Sequence, residues 1–213
     1  MCDHEHKEHG GHDHHHHDHS HDAEDNSDQF SLFLKIHMDR LECLNEMEQD
    51  SGKTVFKPWD QRLDTSKYVE SDEDDPELLF NIPFTGNVKL KCIALLGGEE
   101  GTFPKTMKLY KNIENMSFDQ TGKQPDQEFE LPTSCNDILQ LPTKASKFSN
   151  VNHLSIYFPD NHGDEATKIY YIGLKGDFTQ AQRQTVLITN YELSANPADH
   201  KSKLYQSSSN MIS

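Results

Sequence analysis

Histidine side chains at the N-terminus form the densest set of groups in this chain that could do chemistry. Residues 1–28 hold ten of the fourteen histidines and nine acidic residues against one lysine. Neutral imidazoles and carboxylates suit Zn, Ni or Cu ions, so the sequence predicts weak metal binding that is lost as the imidazoles protonate. The alternative, which we favour because the spacing fixes no coordination geometry, is a solvated tail that aids solubility. The candidate ligands are His12, His14, His15, His16, His17, His19 and His21.

Motifs of enzymatic chemistry are missing from the sequence. It contains no G-x-G-x-x-G, P-loop, H-E-x-x-H or G-x-S-x-G motif, and outside the tail it has only four histidines that could act as a general base. The four cysteines contain no C-x-x-C pair, which indicates reduced thiols in the cytosol or nucleus. We therefore expect a protein that is not an enzyme and that requires no cofactor.

An acidic run precedes one of the predicted strands. Six of the eight residues 70–77 are acidic, and charges packed this tightly favour an extended loop. The loop is either simply solvated or a docking surface for a basic partner, and Ser71 is then a candidate site for an acid-directed kinase. The residues that would contact a partner are Asp72, Glu73, Asp74 and Asp75.

Trp59 is the only tryptophan of the chain. Large aromatic side chains are enriched at interface hot spots, although a single tryptophan is more often an anchor in a core or lid. Cys92 follows the alternation of residues 88–96 and is interpreted as a small apolar core residue.

Charge and composition exclude two classes of partner. The formal net charge is -16, and residues 29–213 still carry eight more acids than bases, which argues against nucleic-acid binding. The longest apolar stretch, residues 93–96, is far shorter than the roughly 20 residues of a membrane span. Residues 1–28 contain almost no apolar side chains and are expected to be disordered, whereas the remainder is apolar enough to fold around a core.

Alternating apolar residues predict a series of strands. The predicted strands cover residues 30–38, 78–84, 88–96, 107–110, 150–158, 168–174 and 185–191. A turn is predicted at residues 85–87 and a bulge within residues 150–158, because Val151 and Leu154 have opposite parity. Residues 39–48 have the spacing of a short helix or helical turn. These short runs, separated by Gly, Pro and Asn, indicate an all-β antiparallel sandwich or barrel.

Several segments of the sequence resemble the PITH domain, a family named for a proteasome-interacting domain that also occurs at the C-terminus of thioredoxin-like proteins. The segments are LECLNE, FKPWDQR, LLFNIPFTGNVKLK, LYKNIENMSFD, KFSNVNHLSIYF, YYIGLKGDF and NYELSANPADHK, in this order. Together they span most of residues 29–200, which we therefore predict to be one domain between the tail 1–28 and a loose C-terminal tail, residues 201–213.

The resemblance implies a jelly-roll β-sandwich of the galactose-binding-like type. It also implies a non-catalytic module that associates with the 26S proteasome in cytoplasm and nucleus. We expect the module to be a monomer. No reductase activity is implied, because the C-x-x-C motif of the thioredoxin-fused members is absent. The candidate contact residues are Trp59, Asp60, Asp199 and His200, although the segment 196–200 has the composition of a structural turn. The alternative function is a lectin-like domain that binds a glycan or small ligand at its loops.

Overall fold

A computed structural model describes residues 30–133, 135 and 137–180. The tail 1–28 with its histidines, the predicted strand 185–191, Asp199, His200 and the C-terminal tail 201–213 lie outside the described residues. The predictions made for them stay predictions.

Strands dominate the described residues. They are β1 (Glu42–Leu44), β2 (Val69–Glu70), β3 (Leu78–Gly97), β4 (Thr106–Lys111), β5 (Gln127–Glu130), β6 (Leu139–Pro142), β7 (Val151–Phe158) and β8 (Lys168–Thr179). One short helix, α1 (Ser51–Thr54), follows β1. Turns of 3-10 helix cover Phe33–Lys35, Met38–Arg40, Trp59–Gln61, Glu100–Thr102 and Phe118–Gln120. In this part of the chain, no helix has the length and apolar character needed to span a membrane.

The long strand β3 connects the two layers of the sandwich. Its first half pairs with β1 and β7, and β4 and β5 continue that layer beyond β7. Its second half pairs with β6 and β8, and β2 lies beyond β8. Every one of these pairings is antiparallel, which confirms the predicted antiparallel β-sandwich.

The bend between the two halves of β3 replaces the predicted turn. The pairing register with β7 shifts between Pro83 and Val88, yet the chain remains a strand through residues 85–87. The prediction of a turn was therefore wrong. The predicted bulge within residues 150–158 was misplaced. Between the pairs Pro83–His153 and Val88–Val151 the extra residues lie in β3 and not in β7.

A second register shift, between Leu90 and Cys92, corrects the predicted single face of residues 88–96. An extra residue reverses the alternation of inward and outward side chains. Val88 and Leu90 therefore share the main core with Ile93 and Leu95, whereas Ala94 and Leu96 pack on the opposite, outer face. Cys92 has the parity of that outer face and is only half-buried, so its interpretation as a core residue was wrong.

The first predicted strand was also wrong, and the predicted short helix or helical turn at residues 39–48 is present only as the 3-10 turn Met38–Arg40. Residues 33–35 form a tight turn in which the Lys35 amide donates to the Leu32 carbonyl at 2.9 Å. This turn directs Leu34 outward, 80% exposed, while Leu32 and Ile36 stay buried. Within residues 39–48, Glu42–Leu44 is a strand because it pairs with residues 79–81 of β3.

The other predicted strands are confirmed as β4, β7 and β8, although β8 runs on past Gly176 to Thr179. The short strands β2, β5 and β6 were not predicted. The main core lies between the layers, where the ring of Phe80 makes edge contacts with Phe56 and Phe158 at 6.0 and 6.1 Å.

Candidate functional site

Trp59 lies on the outer face of the layer that contains β8. It opens a 3-10 turn after Pro58, whose fixed φ favours such a start. The buried Lys57 holds the following loop, since its ammonium donates to the carbonyls of Asp64 and Lys67 at 2.6 and 3.0 Å. The half-buried indole packs beside Ala94 and Leu96 and meets Tyr171 edge-on, with ring centroids 6.4 Å apart.

Two cations lie over the Trp59 ring. The Lys175 ammonium is 3.8 Å from the ring centroid, and the Arg62 guanidinium carbon is 4.4 Å from it. Arg62 Nη1 also donates to the Trp59 carbonyl at 3.0 Å, which fixes the guanidinium beside the ring. We call Trp59, Arg62, Tyr171 and Lys175 the Trp59 patch.

The charges of the Trp59 patch are not neutralised by acidic neighbours. Neither Arg62 nor Lys175 forms an ion pair with any residue that the structure describes. Burial lowers the pKa of Lys175, and the nearby Arg62 charge adds to this effect, which Cys92 opposes. In a chain of net charge -16, two adjacent cations that pair with no described carboxylate form a surface suited to an acidic group.

Nucleophilic chemistry has little support at this site. Burial raises the pKa of the Cys92 thiol, although Lys175 acts in the opposite direction. A thiol with a raised pKa is mostly protonated near neutral pH and is a weak nucleophile. Among residues 30–133, 135 and 137–180, no group of three His, Cys, Asp or Glu side chains is arranged to hold a metal ion.

The predicted acidic residues occupy two places. Asp60 is exposed next to Trp59, whereas the loop 72–75 lies near the start of β8, where Thr167 Oγ1 donates to the Pro76 carbonyl at 2.6 Å. Asn45 fixes the loop backbone by donating to the carbonyls of Asp75 and Glu77 at 2.9 and 2.8 Å. The loop is therefore held in place, with Asp72, Glu73 and Asp74 exposed.

The candidate kinase site at Ser71 was wrong for the folded protein. Ser71 is 0% exposed, and its Oγ accepts a hydrogen bond from the Thr167 amide at 3.0 Å. A kinase cannot reach this hydroxyl. A phosphate on it would also break the hydrogen bond from the Thr167 amide, which lies immediately before β8.

Sequence reasoning selected Trp59 and missed three members of its patch. Arg62 carried a usable signal, because residues three apart lie on the same side of a 3-10 turn. Tyr171 and Lys175 carried none, since only the pairing of β8 with β3 brings them to Trp59.

A groove also opens beside this face. It has a volume of about 770 Å³, and its lining includes the exposed Leu63 together with Leu96, Glu99, Glu100 and Tyr170. Leu96 and Tyr170 also belong to the cluster that packs around Trp59, and Glu99 and Glu100 make part of the groove acidic.

Comparison with known proteins identifies relatives over most of the chain. The PITH domain family matches residues 22–195. The chain is 52% identical over 192 residues to PITH domain-containing protein 1 of Xenopus laevis, which covers 90% of this chain and 91% of the relative. It is 50% identical over 198 residues to PITH domain-containing protein 1 of Homo sapiens, which covers 93% of each chain.

Solved structures with a similar fold are more distant in sequence. The CBM32-1 and CBM32-2 domains of Clostridium perfringens ZmpB, in complex with GalNAc, align with a TM-score of 0.52 and 11% identity. The alignment covers 72% of this chain and 38% of that one. A second structure of the same domains aligns with a TM-score of 0.51, 12% identity and coverage of 75% and 40%. At this identity the likeness shows a galactose-binding-like β-sandwich fold.

Proposed function

This chain belongs to the PITH domain family, and from that membership we propose that it is a non-catalytic, monomeric interaction module that associates with the 26S proteasome in cytoplasm and nucleus. The name of the family supports the choice of partner. The geometry of the Trp59 patch supports the mode of action, which is recognition of a protein surface without chemistry.

The observation that carries the proposal is the pair of cations on a half-buried indole, neither of which forms an ion pair with a described residue. Tryptophan, tyrosine and arginine are the residues most enriched at interface hot spots, because they combine a large apolar area with polar groups. All three types meet in the Trp59 patch. Its charge suits a partner that presents a carboxylate next to an apolar side chain.

The acidic loop supplies the opposite charge at a second place. Asp72, Glu73 and Asp74 are exposed, and they form no ion pair with a described residue. Such a loop attracts a basic region of a partner and orients it during approach, which affects the association rate more than the affinity. A partner with an acidic and a basic region in matching positions would contact both.

Two half-buried thiols support a role without catalysis. Burial raises the pKa of Cys43 well above its usual value, with a further contribution from Glu46, and burial also raises the pKa of Cys92. Neither environment activates a nucleophile.

The experiment is capture of purified 26S particles by the immobilised full chain, compared with Trp59→Ala. We expect Trp59→Ala to weaken binding by about tenfold or more, which is the usual effect of removing a hot spot. The matched control is Phe118→Ala, since Phe118 meets Tyr157 edge-on at 6.2 Å on the outer face of the other layer.

Equal binding by Trp59→Ala and the wild type would remove the Trp59 patch from the interface. Failure of the wild-type chain to capture any proteasome subunit would overturn the proposal as a whole. Crosslinking mass spectrometry of the captured particles then identifies the subunit that is contacted.

Glycan binding, the alternative function, requires an aromatic ring that is free to stack on a sugar. Lys175 and Arg62 both lie over the Trp59 ring, which also meets Tyr171 in an edge contact. We therefore favour the protein-interaction function, and a glycan array with the full chain tests the alternative.

A further inference from the structure

The first described residues run along the edge of β8 at Lys175. Ser31 forms an antiparallel bridge with Lys175, and the Gly176 amide donates to the Phe30 carbonyl at 2.9 Å. The Leu32 amide donates in turn to the Leu174 carbonyl at 2.9 Å. The N-terminal segment therefore joins the domain beside the lysine whose ammonium lies over Trp59.

Only a few residues of extended chain are needed to connect this junction with the Trp59 patch. Neighbouring strands lie about 5 Å apart, and an extended chain advances about 3.3 Å per residue. Asp28 is only two residues before Phe30, and Asp22 is eight residues before it. All of residues 22–28 are thus within reach of Arg62 and Lys175.

The charge of this segment is complementary to the patch. Residues 22–28 contain four acids, Asp22, Glu24, Asp25 and Asp28, and no base. The patch offers two cations that form no ion pair with a described residue. The match to the PITH domain family also begins at residue 22, so the segment lies within the matched part of the sequence.

We propose that residues 22–28 dock on the Trp59 patch and pair their carboxylates with Lys175 and Arg62. The docked segment occupies the surface that an acidic partner would need, and this second part of the inference rests on the proposed function. A tethered segment has an effective concentration in the millimolar range, so even weak ion pairs hold it in place a substantial part of the time. Because the pairs are near the surface, salt screens them.

The test uses the single tryptophan of the full chain. Trp59 gives one indole N–H signal in a ¹⁵N-resolved NMR spectrum, and this signal reports directly on the ring. The variant carries Asp22→Asn, Glu24→Gln, Asp25→Asn and Asp28→Asn. The control carries Asp72→Asn, Glu73→Gln, Asp74→Asn and Asp75→Asn, which removes the same four charges from the acidic loop.

We expect the indole signal of the variant to differ from that of the wild type at low salt, and the signal of the control to coincide with the wild type. Added sodium chloride should move the wild-type signal toward the position of the variant. Coincident wild-type and variant signals at low salt would overturn the proposal. So would a shift of equal size in the control.

A second set of variants tests whether the segment docks on the Trp59 patch. In a chain that carries Arg62→Gln and Lys175→Gln, neutralising the four tail acids should cause no further shift, because the docking site is already gone. A persistent shift would place the segment elsewhere and contradict the proposal.

Competition with the partner is measured separately. The tail variant should capture 26S particles several-fold better than the wild type, and unchanged capture would contradict competition. Because the NMR experiment contains no proteasome, failure of docking and failure of the proposed function give different results.

Discussion

The ammonium of Lys175 lies 3.8 Å from the centroid of the Trp59 ring, and it does so without an acidic partner among the described residues. Burial lowers the pKa of this lysine, and the nearby Arg62 charge adds to this effect, so both disfavour its charged form. A charge that is retained at a cost to stability is typical of a binding surface.

Replacement of this lysine should therefore separate stability from binding. We expect Lys175→Met to leave the free energy of unfolding within about 0.5 kcal/mol of the wild type, or to raise it, because the buried charge is removed while the aliphatic stem is kept. Urea unfolding at pH 7 measures the change.

The matched control for Lys175 is Lys168→Met. Burial lowers the pKa of Lys168, but its hydrogen bond and ion pair with Glu70, at 3.2 Å, outweigh burial and raise the pKa. The control should lose about 0.5–1 kcal/mol. A larger loss in Lys175→Met than in Lys168→Met would contradict the interpretation.

A buried polar network links β3 and β7 on the outer face of their layer. Asn81 is 7% exposed, its Nδ2 donates to the Met116 carbonyl at 2.9 Å, and its Oδ1 accepts from Ser155 Oγ at 3.0 Å. Asn81→Leu should cost about 1–3 kcal/mol, since the Met116 carbonyl and the Ser155 hydroxyl lose their partner. Ser155→Ala should cost about 1 kcal/mol.

The double variant tests whether the two side chains act together. Its loss should be smaller than the sum of the two single losses by at least about 0.5 kcal/mol, because each single variant breaks the same hydrogen bond. Chemical denaturation of the four proteins gives the coupling, and simple additivity would show that the network is not a unit.

Alkaline pH should reveal the environment of Cys43. Burial, with a smaller contribution from the Glu46 charge, raises the pKa of its thiol well above 9.0 in the folded state. The folded protein then keeps a proton that the unfolded chain loses. The thiol therefore leaves the free energy of unfolding unchanged below pH 9 and lowers it as the pH rises above 9. The fall approaches about 1.4 kcal/mol per pH unit.

Cys43→Ala should remove this part of the pH dependence. Urea unfolding of both proteins at pH 8, 9 and 10 under reducing conditions measures the slopes. The variant starts from a lower stability, because Gly52 packs against the Cys43 side chain and a small cavity is left. Parallel slopes for the two proteins would exclude Cys43 as the source.

The close approach of β8 to β3 depends on Gly176. A Cβ atom at this position would overlap the Lys89 carbonyl oxygen, which belongs to the backbone and cannot turn away. Gly176→Ala should therefore cost about 1–3 kcal/mol, or more if the strands separate. Gly122→Ala is the control, because a Cβ there meets no atom within 4 Å, and it should stay within about 0.5 kcal/mol of the wild type. Thermal unfolding compares them, and similar losses would contradict the steric explanation.

The fold could be predicted where short runs are rich in apolar, β-branched and aromatic residues. Residues 107–110 and 168–174 are such runs, and both lie in strands of the structure. The prediction failed where tertiary pairing overrides local pattern. Residues 85–87 have the composition of a turn, but pairing on both sides keeps the chain extended through the bend.

The candidate site could be predicted only by residue type. Trp59 was selected because it is a lone large aromatic residue, and Asp60 and the acidic loop because of their charge. Lys175 could not be found in this way. Its position over the indole depends on the register shift at Leu90, which no alternation of residues 88–96 indicates.

Strand β3 belongs to both layers, and its main pairing partners are synthesised after it. Most backbone partners of β3 belong to β7 and β8, which are the last described strands to leave the ribosome. Until they emerge, a twenty-residue apolar strand has few neighbours, and such nascent segments associate readily with one another. Chaperone protection of the newborn chain is accordingly most valuable in the interval between translation of β3 and translation of β8.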